Sequence, residues 1–466
     1  MTRLWMAASA LVVFVVASIL VLTTLSRERE YQRLMAEGDA ALADEQTYVA
    51  IEAYSGAIAL KNDAMIAYLK RGETYRRRGE LDAALRDLRA AARLDPQATR
   101  PAELLGDVNH ALERYDRAAE SYRACAELDD RNPRILCKLG IALYRAGDAT
   151  GALLPLRKAI NLDDRFGEAH YVLGLCLHAR GQTREATEAF EEAVRLAPAL
   201  VAAREELAAG YRLAGRTREA IAQLEAVAAL EPDRVDRQVA VGLAYARAGR
   251  TDIAVTLLGR AAEQYPNSVG IYQALGRVWL DAAEPRRDRV ALRKAVEALE
   301  PLSRQPGASS ETLGLYGRAL LAGGDIAAAE AALLQSSRTL PIDLDALLWL
   351  SVASERLRHW ESAADALARW VALAPETQSR RASVLERLGD ARQRLGDADR
   401  ALRAWQQAAA TADVSVALLA KLAAAEIAAG QGEAARRTIG RGLERDPGNG
   451  ALLALQRRTK EPVVPR

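Results

Sequence analysis

The sequence predicts an all-α solenoid of about twelve helix–turn–helix units, preceded by one long apolar helix. Three observations predict it. Small residues return with a period of 34 along residues 31–449. Half of the 466 residues are hydrophobic but only 5% are aromatic, and alanine is abundant, which suits close helix–helix packing better than a thick sheet core. The segment Leu4–Leu25, LWMAASALVVFVVASILVLTTL, carries no charge over 22 positions. A chain of this length exceeds a single hydrophobic core, so several domains or a repeat array is expected.

The apolar segment comes first. At about 1.5 Å per residue its 22 positions span the roughly 30 Å hydrocarbon core of a bilayer. A charge at its centre would cost about 2.5–3.5 kcal/mol, and there is none. A cleaved signal peptide is the competing reading, but the small residues Ala7 to Ala10 precede the run instead of following it. Residues 1–26 are therefore expected to be an uncleaved membrane anchor and 27–30 a juxtamembrane linker. Arg27, Arg29 and Arg33 on one side against Arg3 on the other favour a cytoplasmic body. The habit of short bacterial N-terminal tails to stay inside favours the reverse, and the expectation leans to a body outside the cytoplasm. Arginine outnumbers lysine, which fits a GC-rich bacterial genome.

Blocks of 34 begin at residues 31, 65, 99, 133, 167, 201, 235 and 269, then at 310, 344, 382 and 416. Their eighth position is glycine nine times: Gly38, Gly72, Gly106, Gly140, Gly174, Gly242, Gly276, Gly317 and Gly389. Glycine within a helix costs about 1 kcal/mol relative to alanine, so the close approach of a partner helix must offset it. The small residue expected opposite is the alanine at position 20, with Ala291 in that role after an insertion in the block from 269. Gly79, Gly147, Gly181, Gly215 and Gly249 at position 15 suit a left-handed residue ending the first helix. Asp82, Thr183, Thr217 and Thr251 stand where a side-chain oxygen could cap the second. Proline at position 32 (Pro96, Pro198, Pro232, Pro266, Pro341, Pro375, Pro447) marks that helix's exit.

This arrangement resembles the tetratricopeptide repeat (TPR) family, most closely over 167–200, where Leu173, Gly174, Gly181, Ala186, Phe190, Ala193 and Pro198 are all in place. The resemblance covers residues 31–449. It implies a right-handed superhelical solenoid of about twelve TPR units behind one transmembrane helix: eight repeats over 31–305, four over 306–449, a capping helix over 450–460 and a tail over 461–466. The segment 282–309 breaks the period and reads as a joint or a longer loop.

Chemistry is sparse. There is no H-E-x-x-H, G-x-S-x-G or phosphate-binding glycine loop, and His170 and His178 are eight apart, the wrong spacing for two ligands on one helix face. No catalytic residue, metal or cofactor is expected. Sixty-four basic and 62 acidic residues leave a net charge of +2, no footprint for nucleic acid. Cys125 and Cys137 flank the turn near Arg131 at matching heights, so a disulfide between them is a possible pairing; core packing is the plainer reading of both and of Cys176.

The family resemblance implies a concave face lined by first helices. Carried onto blocks four to seven, the peptide-binding groove comprises Arg134, Ile141, Tyr144, Arg145, Tyr171, Leu175, His178, Arg212, Val239, Leu243 and Arg247, with Cys137 beside them. Exposed apolar and aromatic residues rimmed by arginine suit an extended peptide of acidic character, though Tyr144 and Tyr171 could equally cover neighbouring core. Position 9 reads Asp39, Glu73, Asp107, Ile141 and Leu175, with no asparagine, which argues against the carboxylate clamp of the chaperone-binding TPR subfamily. The expected function is a non-enzymatic scaffold anchored in the bacterial inner membrane, monomeric without its protein or peptide partner. Envelope assembly, secretion or export are the settings the resemblance suggests. A self-associating structural element and an accessory subunit of a separately encoded enzyme are the rivals.

Overall fold

A computed structural model describes residues 2–286, 288–375, 377, 379–410 and 414–460, with only the backbone given for 2–13, 15–17, 286 and 460. Among the described residues all regular structure is helical, in two compact units, Met1–Leu230 and Glu231–Arg466. The first holds α1 (Thr2–Ala43), α2 (Thr47–Leu60), α3 (Met65–Arg77), α4 (Leu81–Leu94), α5 (Thr99–Ala111), α6 (Tyr115–Leu128), α7 (Pro133–Arg145), α8 (Leu153–Leu162), α9 (Gly167–Ala179), α10 (Thr183–Leu196), α11 (Val201–Leu213) and α12 (Thr217–Leu230). The second begins with α13 (Val235–Arg247), α14 (Thr251–Gln264), α15 (Val269–Ala283), α16 (Arg289–Ser303), α17 (Ser310–Gly323), α18 (Ile326–Arg338) and α19 (Leu344–Leu357). It ends with α20 (Trp360–Leu373), α21 (Arg381–Arg394), α22 (Ala398–Ala409), α23 (Val416–Ala428), α24 (Gly432–Arg445) and α25 (Gly450–Lys460). Within each unit an odd-numbered helix packs on the even one that follows, and that one on the next odd helix.

The nine glycines at position 8 do allow close approach, but their partner is not the one the sequence suggests. A Cβ on Gly38, Gly106, Gly174 or Gly389 would lie 2.3–2.5 Å from a ring atom of Tyr54, Tyr122, Phe190 or Trp405. Leu88, Leu156, Leu258 and Leu333 fill the same place over Gly72, Gly140, Gly242 and Gly317. Each of these large residues lies 16 positions on, at position 24, so the glycine makes room for the biggest side chain of the second helix. The alanine at position 20 lies one turn earlier on the same helix, in the same cluster as the position-24 residue, as Ala84 does with Leu88. Ala84 is fully buried in one cluster with Leu104 and Val108 of the next repeat.

This geometry also corrects the register of the irregular repeat. Gly276 faces Leu299, which places Ala295, fully buried, at position 20 in place of Ala291. All seven extra residues therefore precede position 20. They are absorbed by a longer α15, a 3₁₀ turn over Glu284–Arg286 and an early start to α16.

Local signals behave unevenly. Gly79, Gly147, Gly181, Gly215 and Gly249 all have φ between 72° and 89°, the left-handed region expected of them. Glu45, Glu113 and Arg358 occupy the same turn position with φ of 57–61° despite their side chains. The position-32 prolines each fall two or three residues beyond a helix end, as at Leu94, Leu196 and Leu230. The capping expectation does not hold. Glu80, Gln182 and Arg250 are the N-cap residues and make no side-chain cap bond, while Asp82, Thr183, Thr217 and Thr251 sit one or two residues inside their helices. Side-chain caps occur instead at Asn132, Asp288, Ser309, Asp325, Asp343, Asp397 and Ser415.

Residues 27–30, read as a linker, are helical and continuous with the first repeat through α1. Among the described residues no helix is long and apolar enough to cross a membrane. Most side chains of the segment expected to do so lie outside the described residues.

Candidate peptide-binding face

The first helices α3, α5, α7, α9 and α11 of the first unit repeat the same positions every 34 residues; α3 packs beside α5 and α7 beside α9. At their N-terminal repeats the charged side chains are used internally. Tyr54 Oη donates to Asp39 Oδ1 at 2.8 Å, and Lys70 Nζ from the next repeat lies 2.6 Å from both Asp39 oxygens. The arrangement recurs one repeat further along. Tyr122 Oη and Lys138 Nζ each donate to Asp107 Oδ1 at 2.8 Å, and Lys138 also reaches Glu103 at 2.8 Å. It appears a third time in the second unit, where Trp405 Nε1 (3.2 Å) and Lys421 Nζ (2.8 Å) donate to Asp390. Offsets are identical in all three: an acid at position 9, an aromatic donor 15 residues on and a lysine 31 residues on.

The electrostatics follow from this. Burial pushes the Glu103 carboxyl up, but Lys138 and then Arg100 outweigh it and hold the group below the ordinary carboxylate range. Burial likewise disfavours the charged Lys138, and Asp107 and Glu103 raise its pKa in spite of that. Burial, then the bond to Asp39, raises the Tyr54 hydroxyl. Glu73 is similarly paired with Arg100. This ladder was missed in the sequence, although the offsets of 15 and 31 are visible there.

Further along, the face changes character. Arg134, Arg145, His178 and Arg212 are exposed, while Ile141, Tyr144, Tyr171 and Leu175 are half-buried. Ile141, Tyr144 and Tyr171 rest on the core cluster that includes Leu136, Cys137 and Val172. Tyr171 and Leu175 also rest on that of Leu177, Phe190 and Tyr211, with the Tyr171 and Phe190 rings 6.1 Å apart. Both tyrosines therefore cover core and still present an edge to solvent. Burial, then the charge of Glu206, raises the Tyr171 hydroxyl; Tyr144 and Arg145 are also within its electrostatic reach. Arg134, in the first turn of α7, stands about 16 Å along the helix from Arg145. Val239, Leu243 and Arg247 fall in the second unit, on α13. There Val239 and Leu243 pack against the cluster of Ile271 and Leu275. Leu243 and Arg247 line a cleft of about 280 Å³ with Arg277 and Asp281.

The cysteines are all free and buried. The pairing considered for Cys125 and Cys137 is not formed: Cys125 Sγ turns back to the Thr99 carbonyl of its own repeat at 3.5 Å, whereas Cys137 and Cys176 pack together in one core cluster. Burial pushes the thiols of Cys137 and Cys176 up to about 12 and about 11.

A family profile described as tetratricopeptide repeat matches residues 35–99, 69–133, 104–165, 137–201 and 315–376, and a second profile of that description matches 235–278. Together they cover more than half of the chain. The chain belongs to the tetratricopeptide repeat family. Members of this TPR family are in general non-enzymatic scaffolds that bind protein or peptide partners. Over 89 residues the chain is 31% identical to the small glutamine-rich tetratricopeptide repeat-containing protein 2 of Mycosarcoma maydis, a match spanning 19% of this chain and a quarter (25%) of that protein. Among solved structures, a TPR protein from Parabacteroides merdae is 17% identical with a TM-score of 0.41, over 54% of this chain and 99% of that one. The APC/C hetero-tetramer Cut9–Hcn1 is 15% identical with a TM-score of 0.36, over 94% of this chain and 98% of that one.

Proposed function

We propose that this TPR protein is anchored in the inner membrane of a bacterium by its apolar N-terminal helix and holds a partner protein on the first-helix face of its N-terminal unit. In this reading the array lies outside the cytoplasm and serves envelope assembly, secretion or export, with no chemistry of its own. One observation carries it: a contrast within a single face. On α1, α3 and α5 the acids Asp39, Glu73, Glu103 and Asp107 at positions 5 and 9 are taken up by Lys70, Arg100 and Lys138. On α7, α9 and α11, Arg134, Arg145, His178 and Arg212 are exposed without an ion-pair partner among the described residues, around half-buried Ile141, Tyr144, Tyr171 and Leu175. Apolar edges beside unpaired charges are what a partner surface needs and what an internal brace does not. Anchoring is supported by the uncharged run Leu4–Leu25 and by the exposure of Ile19, Leu20, Val21, Leu22 and Leu25 on α1, each more than half open.

The test is a photo-crosslinking residue at Tyr171 in living cells, with a control at exposed Arg184 on the second-helix side. Capture of one discrete foreign protein at Tyr171 only is expected, and its compartment reports the side of the membrane. Copies of the chain itself, or crosslinks at Arg184 alone, would sink the reading.

A further inference from the structure

The last turns of five consecutive first helices are basic: Arg76 and Arg77 on α3, His110 on α5, Arg145 on α7, His178 on α9 and Arg212 on α11. A cation at a helix C-terminus complements the macrodipole, and that alone could place them. The second helices of the same unit exclude this as the whole reason. They have the same dipole, yet α2, α6, α8 and α12 carry no basic residue in the last turn, Arg195 of α10 is paired with Glu192, and of these second helices only α4 ends in a basic residue, Arg93, with no ion pair among the described residues. Apart from Arg93 of α4, the basic ends without an ion pair belong to the first helices of this unit.

None of the six has an ion-pair partner among the described residues, and Arg76 Nε and His110 Nε2 are buried without any hydrogen-bond partner. The turns that follow these helices hold carboxylates of their own. Glu80 is paired with Arg78, and Asp148 accepts the Gly151 amide. Glu205 and Glu206 lie nearer the opposite end of α11, within electrostatic reach of Tyr171.

Resting on the reading of this face as partner-binding, we infer that its basic edge receives an extended acidic segment of the partner polypeptide. Packed helices are about 8–10 Å apart and an extended chain advances about 3.3 Å per residue. One acidic side chain per helix therefore recurs about every third residue, and five helices span about 12–15 residues. A single-stranded nucleic acid would need free aromatic faces to stack its bases, and Tyr144 and Tyr171 are committed to core clusters.

Fluorescence anisotropy on the full-length protein in mild detergent tests this. The probe is a labelled peptide of about 15 residues with glutamate at every third position. The comparisons are a permutation with its glutamates clustered at one end, a glutamine version and a single-stranded DNA oligomer. The spaced peptide should bind tightest, weaken with salt, and lose about tenfold or more in the R145E/R212E double variant. R145Q/R212Q should give an intermediate loss, with circular dichroism unchanged in both. Equal binding of spaced, clustered and neutral peptides, equal binding of DNA, or no effect of charge reversal overturns the inference. A Tyr171 crosslink that persists in the charge-reversed protein overturns it too, while leaving the partner-face reading intact; absence of any foreign crosslink overturns that reading itself.

Discussion

The same substitution, glycine to alanine, should have opposite signs on the two helices of one repeat. In Gly242→Ala the new Cβ falls 2.6 Å from Leu258 Cγ and 2.8 Å from Cδ2, about 1 Å inside ordinary contact. Leu258 is fully buried, so it can yield only by disturbing the packing of α14 against its neighbours. Overpacking of this kind costs about 1–3 kcal/mol, which outweighs the roughly 1 kcal/mol that alanine contributes to helix propensity. In Gly259→Ala, on α14 itself, nothing lies within 4 Å of the new Cβ. Only the propensity gain remains, about 0.5–1 kcal/mol of stabilisation. The propensity gain is common to both, so the two variants should differ by about 1–3 kcal/mol, roughly 5- to 150-fold in local opening. Hydrogen exchange by mass spectrometry on peptides from 235–264 reads this locally, without assuming that a repeat array unfolds as one unit. Equal protection in Gly242→Ala and wild type, or destabilisation of Gly259→Ala to the same extent, would refute the packing argument.

Glu113→Gly should stabilise by about 0.5–1 kcal/mol, because relief of a left-handed conformation worth about 1–2 kcal/mol exceeds the added entropy cost of glycine; thermal melts of the pair decide it. Glu103 has a folded pKa below its unfolded value, so its contribution is fully present above the unfolded pKa of about 4.3 and is lost as pH falls through the depressed folded value. Glu103→Gln should therefore flatten the decline of Tm between about pH 6 and pH 3, and an unchanged slope would count against the Lys138 network. The buried thiols with raised pKa should react with a thiol reagent only after denaturation, three per chain with or without prior reduction. A rise in the count on reduction would restore the Cys125–Cys137 pairing.

Parts of the candidate face could be read from repeat position alone: Arg145, His178 and Arg212 lie on first helices because the period places them there. Their freedom from partners could not. Lys70, Lys138 and Lys421 look no different in sequence from unpaired surface lysines until the neighbouring repeat brings Asp39, Asp107 and Asp390 within 2.8 Å. The division of the chain after Leu230, which puts Val239, Leu243 and Arg247 in another unit from Tyr171, has no counterpart in the period either.

By itself the sequence determined whatever depends on a residue's own backbone. The helix–turn–helix alternation, the left-handed glycines such as Gly147 and Gly181, and the prolines beyond each second helix are local constraints on φ and on i→i−4 bonding. Repetition makes them legible. Tertiary structure decided everything that depends on where a neighbouring helix projects its side chains. It set Tyr122 instead of Ala118 over Gly106, gave Ala295 instead of Ala291 the place one turn before the leucine that covers Gly276, and turned Cys125 away from Cys137. A period of 34 fixes which helices are neighbours, but the offset between them fixes which atoms meet, and no single repeat carries that offset in its own residues.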